Sequence, residues 1–159
     1  MKIAVLDDNA DDLHALCTMI DTVCAEQTPR PMIRAFTDER KFLAHMSSAR
    51  ADIVFLDIYL KERTGIRTAQ ILRSFNTSCA IIFVTSSREH AVEAFDVTAS
   101  HYLIKPVTEE GVREALERTP FFKKDRPTIA LTIDYTEQRI PIEQIRYVDA
   151  NGRGCSFHL

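Results

Sequence analysis

An α/β fold with a parallel sheet covered by helices on both faces is predicted for residues 1–118. The first ground is the alternation of short β-rich runs (2–6, 32–36, 53–56, 80–84 and 101–104) with amphipathic helical stretches. The second is that several of those runs are continuously apolar, as in Ala-Ile-Ile-Phe-Val over 80–84, the pattern of strands buried on both faces. Five βα units in this order lead to a parallel sheet, because each strand returns beside its neighbours through a right-handed crossover.

Each helix carries its own signal. Leu13, Leu16, Cys17, Ile20, Val23 and Cys24 recur at the spacing of one helical face. Asn9 stands where an N-cap belongs, and Asp11 and Asp12 suit the positive end of that helix's dipole. Further helices are predicted over about 38–46, 65–75, 88–95 and 108–118, the last capped by Thr108 with Glu109 and Glu110 in its first turn. The character then changes. Residues 119–127, Thr-Pro-Phe-Phe-Lys-Lys-Asp-Arg-Pro, combine two prolines with a charged cluster, so 119–126 is read as a linker. After it, 128–134, 138–142, 145–150 and 154–158 read as short strands, with Asn151-Gly152 as a turn. This tail, 127–159, is too short to build an independent core and is expected to be the front of something larger. Its strands are expected to leave Ile140, Ile142, Ile145 and Val148 uncovered and an edge open to a second copy.

Composition narrows the function classes. A chain of 159 residues with 45% hydrophobic and 27% charged residues can bury a core without disulfides or structural metal. A net charge of −3 gives no global basic field, so nucleic-acid binding would need a local patch. No apolar run approaches the roughly 20 residues of a membrane span, and the N-terminus turns acidic at Asp7, so a cytoplasmic protein is expected. Cys17, Cys24, Cys79 and Cys155 form no CxxC pair, and the histidines no HExxH, which excludes zinc chemistry and favours reduced thiols acting as small hydrophobes.

Chemistry gathers at one sheet edge. Asp7 and Asp8 follow the first predicted strand, Asp57 the third, Thr85 the fourth and Lys105 the fifth. In open parallel α/β sheets, ligands bind beyond the carboxyl ends of the strands. Clustered carboxylates repel one another unless a cation joins them, and oxygen-only ligands suit Mg²⁺. A metal with a lysine beside a carboxylate is what phosphoryl transfer needs, since the charge on the phosphoryl oxygens must be neutralised. Taken singly, Asp7-Asp8 reads as a helix-cap cluster, Lys105 as a solvated lysine and Thr85 as a last strand residue. Their joint placement favours a site.

The order Asp7-Asp8, Asp57, Thr85 and Lys105-Pro106 resembles the receiver domain of two-component response regulators, over about residues 1–118. The resemblance implies a flavodoxin-like sheet of order 2-1-3-4-5. It also implies that Asp57 accepts a phosphoryl group from a histidine kinase, and that Asp7, Asp8, Asp57 and the backbone carbonyl of Tyr59 hold Mg²⁺. Thr85 would hydrogen-bond the phosphoryl group and Lys105 pair with it, so that Asp57, Thr85 and Lys105 form the reacting set. Tyr102 matches the aromatic switch position, with plain packing as its other reading, and Gly65 matches the glycine that closes the loop. A cis peptide before Pro106 is likewise implied. The chain departs from the pattern at Lys61, where the family often has proline. Tyr59 and Ser87 fall at positions that in this family tune dephosphorylation, and a bulky Tyr59 would screen the acyl phosphate from water.

The stretch 94–107, Ala-Phe-Asp-Val-Thr-Ala-Ser-His-Tyr-Leu-Ile-Lys-Pro-Val, and the tail segment 139–153 are similar to LytTR-type regulators, the latter to the opening strands of their DNA-binding domain. A phosphorylation-switched receiver of a LytTR-type transcription regulator is therefore expected, in a chain that stops inside the effector domain. It would act with a cognate histidine kinase and form a homodimer when phosphorylated. Promoter DNA would be bound only by a full-length LytTR domain. Arg139, Arg146 and Arg153 are read as a solvated β face rather than DNA contacts. The alternative is a receiver that signals only through protein contacts. A haloacid dehalogenase-type enzyme is a third reading, set back because Tyr59 stands where that class places a second acid. Turnover of an external substrate is not expected; a receiver catalyses only its own phosphorylation and dephosphorylation.

Overall fold

The computed structural model describes residues 1–159 except 26, 28, 62, 77, 88, 123–127, 134–135, 142–144, 151–154 and 159, and the chain divides into two units, Met1–Lys123 and Lys124–Leu159. The first unit alternates β1 (Lys2–Leu6), α1 (Ala10–Val23), β2 (Met32–Phe36), α2 (Glu39–Ser48), β3 (Ile53–Asp57), α3 (Gly65–Phe75), β4 (Ala80–Thr85), α4 (Ala91–Asp96), β5 (His101–Ile104) and α5 (Glu109–Glu117). Its strands form one parallel sheet in the order β2-β1-β3-β4-β5.

The two-residue period of a strand divides the core between the faces. Ile3, Val5, Ile53, Phe55, Ala80, Ile82 and Val84 face α1 and α5, meeting Leu16, Ile20, Val112 and Leu116. Their neighbours Ala4, Leu6, Val54, Leu56, Ile81 and Phe83 face α2, α3 and α4, meeting Phe42, Met46, Ala69, Leu72 and Ala94. β1, β3 and β4 are thus apolar at every position that a helix covers, whichever face it lies on. At the starts of α1, α2, α3 and α5 a polar side chain takes a free N–H: Asn9 Oδ1 accepts from Asp11 and Asp12, Asp38 from Lys41, Thr64 from Arg67 and Thr108 from Gly111. Each such cap contributes about 1 kcal/mol.

Some boundaries differ from the sequence expectation. β3 and β4 run one residue further, so Asp57 and Thr85 are the last residues of their strands rather than the first of their loops. α4 begins at Ala91 rather than at 88, which lies outside the described residues. The first unit extends past residue 118 because Thr119 and Phe122 are buried against it, Phe122 in the α1/α5 core. That takes the first half of the predicted linker into the fold, and its remainder, 123–126, lies outside the described residues.

The second unit holds two antiparallel pairs, β6 (Thr128–Ile133) with β7 (Thr136–Pro141) and β8 (Tyr147–Ala150) with β9 (Cys155–His158). β7 starts two residues before the predicted strand and β8 two residues after. Ile140 corrects the expectation of an uncovered tail: it is buried, and in the antiparallel register it lies opposite Ile129. Val148 is exposed as predicted and Ile145 half-buried, while Ile142, Arg153 and the Asn151-Gly152 turn lie outside the described residues. Arg146 is exposed.

Candidate functional site

The carboxyl edge of the sheet brings together groups that are far apart in sequence. Asp7, the residue after β1, is 1% exposed, and its Oδ1 accepts from the Asn9 N–H at 2.9 Å. Asp57 ends β3 at 6% exposure; its Oδ1 accepts from the Tyr59 N–H at 3.2 Å. Lys105 follows β5, its own N–H held by the Thr85 carbonyl at 2.8 Å. Its ammonium Nζ donates to Asp7 Oδ2 at 2.8 Å, Asp12 Oδ2 at 2.8 Å and Asp57 Oδ2 at 3.1 Å. Asp8 stands beside them, accepting from the Lys61 N–H at 3.1 Å, with the Lys61 ammonium at 3.8 Å. The strand ends therefore position Asp7, Asp57 and Lys105, the loops after β1 and β3 supply Asp8 and Lys61, and the first turn of α1 supplies Asp12.

Gly65 explains how close that packing is. A Cβ there would stand 2.0 Å from the Asp57 carbonyl oxygen and 2.9 Å from Ile58 Cα. The Gly65 N–H donates to the Ile58 carbonyl at 2.7 Å, closing the β3–α3 loop onto the strand end that carries Asp57. Only a residue without a side chain allows that approach.

Burial and pairing compete at Asp57 and at Lys105. Burial pushes the Asp57 carboxyl above the ordinary aspartate range, outweighing the hydrogen bond and charge of Lys105 and the Tyr59 N–H, with Asp7 adding repulsion. Burial alone would lower Lys105, but the three carboxylates, Asp12, Asp7 and Asp57, hold it above the usual lysine range, so it stays cationic. The result is a poorly solvated carboxylate with a fixed cation on one oxygen, an arrangement suited to nucleophilic attack on an anionic centre.

A cation fits the donors present. Asp7, Asp8 and Asp57 each offer a carboxylate oxygen, all within 4.8 Å of one another. Three carboxylates at that separation require positive charge to offset their repulsion, and an all-oxygen set matches Mg²⁺.

Thr85 is fully buried, and its Oγ1 accepts from the Ser87 N–H at 3.4 Å. The Tyr102 hydroxyl donates to the Ser87 carbonyl, and its ring lies 6.4 Å from Phe83. Tyr102 is thus tied to the β4–α4 loop directly beyond Thr85. The Tyr59 side chain is exposed, with its ring edge-on to His90 at 5.7 Å. Asp12 is the residue that sequence reasoning missed. It was legible as a helix-start acid, and the remaining signal was its place in the first turn of α1, at the same sheet edge as Asp7. The Lys105–Pro106 peptide is cis, as the resemblance implied.

Residues 3–117 match the response regulator receiver domain family. The chain is 28% identical to the transcriptional regulatory protein YpdB of Escherichia coli K12 over 165 residues, covering 95% of this chain and 66% of that protein. It is 31% identical to the sensory transduction protein LytT of Bacillus cereus over 112 residues, covering 64% of this chain and 44% of LytT. The chain spans less than two thirds of the length of these relatives. Among solved structures, the response regulatory domain of protein MrkE from Klebsiella pneumoniae superposes with a TM-score of 0.64 at 28% identity, over 75% of this chain and 94% of that one. The chemotaxis protein CheY4 of Vibrio cholerae shares the fold, with a TM-score of 0.64 at 24% identity over 74% of this chain and 97% of that one.

Proposed function

The chain belongs to the response regulator receiver domain family, and we propose that it accepts a phosphoryl group on Asp57 from a histidine kinase. One observation carries this reading: the Lys105 ammonium donates to Asp57 while Asp7 and Asp8 stand within reach of a shared cation. In the transfer, an Asp57 carboxylate oxygen forms the new bond to phosphorus as the donor's bond to phosphorus breaks and the leaving group departs with the electron pair. Asp7, Asp8 and Asp57, with the backbone carbonyl of Tyr59, would hold Mg²⁺, which supplies charge neutralisation for the phosphoryl oxygens. Lys105 stabilises the same charge from its fixed position, and Thr85 offers its hydroxyl from the end of β4. The elevated pKa of Asp57 keeps its carboxylate basic.

Phosphorylation is read out through Thr85 and Tyr102. Drawing the Thr85 hydroxyl toward the phosphoryl group moves the loop to which Tyr102 is bonded, and Tyr102 repacks between two positions rather than shifting gradually. The face of α4, β5 and α5 then pairs with a second copy. The similarity to YpdB and LytT supports a LytTR-type transcription-regulating output, with the first unit as receiver, a short connection from about residue 123, and the β pairs beyond 127 as the start of the effector domain. Promoter DNA is then contacted by the full-length effector domain. No helix among the described residues is long and apolar enough to cross a membrane, which agrees with a regulator working in the cytoplasm.

With Mg²⁺ and acetyl phosphate, the chain should gain one phosphoryl group by intact mass. Asp57→Asn should abolish the gain, because it removes the nucleophilic oxygen with little change in shape. An undiminished gain in that variant overturns the assignment.

A further inference from the structure

Lys105 has no donor to spare. An ammonium carries three N–H donors, and three carboxylates take those of Lys105, with the two shorter bonds to Asp7 and Asp12 and the longest to Asp57. A phosphoryl group on Asp57 turns that carboxylate into an uncharged acyl group, which frees the N–H it held, and brings several anionic oxygens within the lysine's reach; a second donation to them requires the lysine to release Asp7 or Asp12. Asp7 is poorly placed to be released, since it is 1% exposed and would keep a buried charge without this counter-ion. Asp12 is different. Its side chain is 45% exposed in the first turn of α1, where water can replace the lysine at small cost.

We propose that Asp12 is a positioning residue, which parks Lys105 in the unphosphorylated protein and yields it when Asp57 carries the phosphoryl group. The proposal rests on the reading of Asp57 as acceptor. Asp12 touches neither donor nor phosphorus; it acts through the lysine, as a competing anion that sets how readily Lys105 turns to the new group. The bond that forms joins an Asp57 oxygen to phosphorus, the P–O bond of acetyl phosphate breaks, acetate leaves with the electron pair, and no proton is exchanged at Asp12. A neutral amide in place of the carboxylate holds an ammonium less strongly, so it leaves Lys105 freer for the phosphoryl oxygens.

The test uses the whole 159-residue chain with Mg²⁺ and acetyl phosphate, followed by intact mass over time. Asp12→Asn should accelerate phosphorylation by roughly three- to fivefold, the scale of one exposed ion pair. Asp12→Glu keeps the charge and should return the rate to within about twofold of the parent. Asp11→Asn makes the same change in net charge in the same helical turn, at a carboxylate that is not one of the three on Lys105, and should also stay within about twofold. If Asp57→Asn is silent yet Asp12→Asn is no faster than the parent, the parking role is overturned and the acceptor reading stands. Equal acceleration by Asp11→Asn overturns it too, since the effect would then belong to the general field. Phosphorylation of Asp57→Asn at the parent rate removes both readings.

Discussion

The two units of the chain spend apolar sequence in different ways. In Met1–Lys123, β1, β3 and β4 lie inside a sheet covered on both faces, so Phe55, Phe83 and Ile82 are completely buried. In Lys124–Leu159 the strands pair in twos, and among the described residues Tyr147 and Val148 are exposed while Ile140 is buried. The difference shows what a layered sheet provides. A strand covered twice over is rigid enough to hold a carboxylate at its end within hydrogen-bond distance of a lysine from another strand. A two-stranded pair has one neighbour per strand and few buried side chains, so it holds register without a core.

The largest effect should come from emptying the covered sheet. Phe83→Ala should cost about 3–5 kcal/mol, read as a fall in the urea midpoint, whereas Val148→Ala, at a site 48% exposed, should stay within about 0.5 kcal/mol. Similar losses for both would break the comparison. Gly65→Ala sharpens it at the site itself. The new Cβ would meet the Asp57 carbonyl and Ile58 Cα, backbone atoms that cannot swing aside, so about 1–3 kcal/mol should be lost. Phosphorylation by acetyl phosphate should slow as well, because Asp57 must shift.

The smallest effect concerns pH. Burial, then the nearby Arg118 charge, pushes His101 below its ordinary value of 6.5, with Glu114 opposing. A depressed pKa means the fold prefers the neutral ring, so this contribution to stability is present above pH 6.5 and is lost as pH falls through the lower folded value. The urea midpoint should therefore drop more between pH 7.5 and pH 5.5 in the parent than in His101→Gln. Equal slopes would show that the half-buried edge of the sheet does not discriminate the charged ring.

Much of the first unit was legible because its determinants are local. The period of apolar residues names each strand and helix, and Asn9 and Thr108 mark helix starts through bonds to their own first turns. Because the strands are short and regular, their ends fall within a residue of predictable places, which puts Asp7, Asp57, Thr85 and Lys105 on one edge. α4 starts later than 88 because Ser87, which reads as a cap, takes the Glu89 N–H on its hydroxyl in a turn ahead of the helix. The burial of Ile140 was not legible, because which tail residues are covered depends on contacts beyond their own strand and not on composition.

The amino-acid sequence by itself determined the alternation of strands and helices, the helix caps and the identity of the residues at the strand ends, all set by contacts within a few positions along the chain. Only the tertiary structure decided that Lys105 is shared among Asp7, Asp12 and Asp57, and that Gly65 must lack a side chain to lie against the Asp57 carbonyl. Those contacts join segments brought together by sheet order and helix packing. A carboxylate in a first helical turn reads alike whether it faces water or an ammonium 93 residues away.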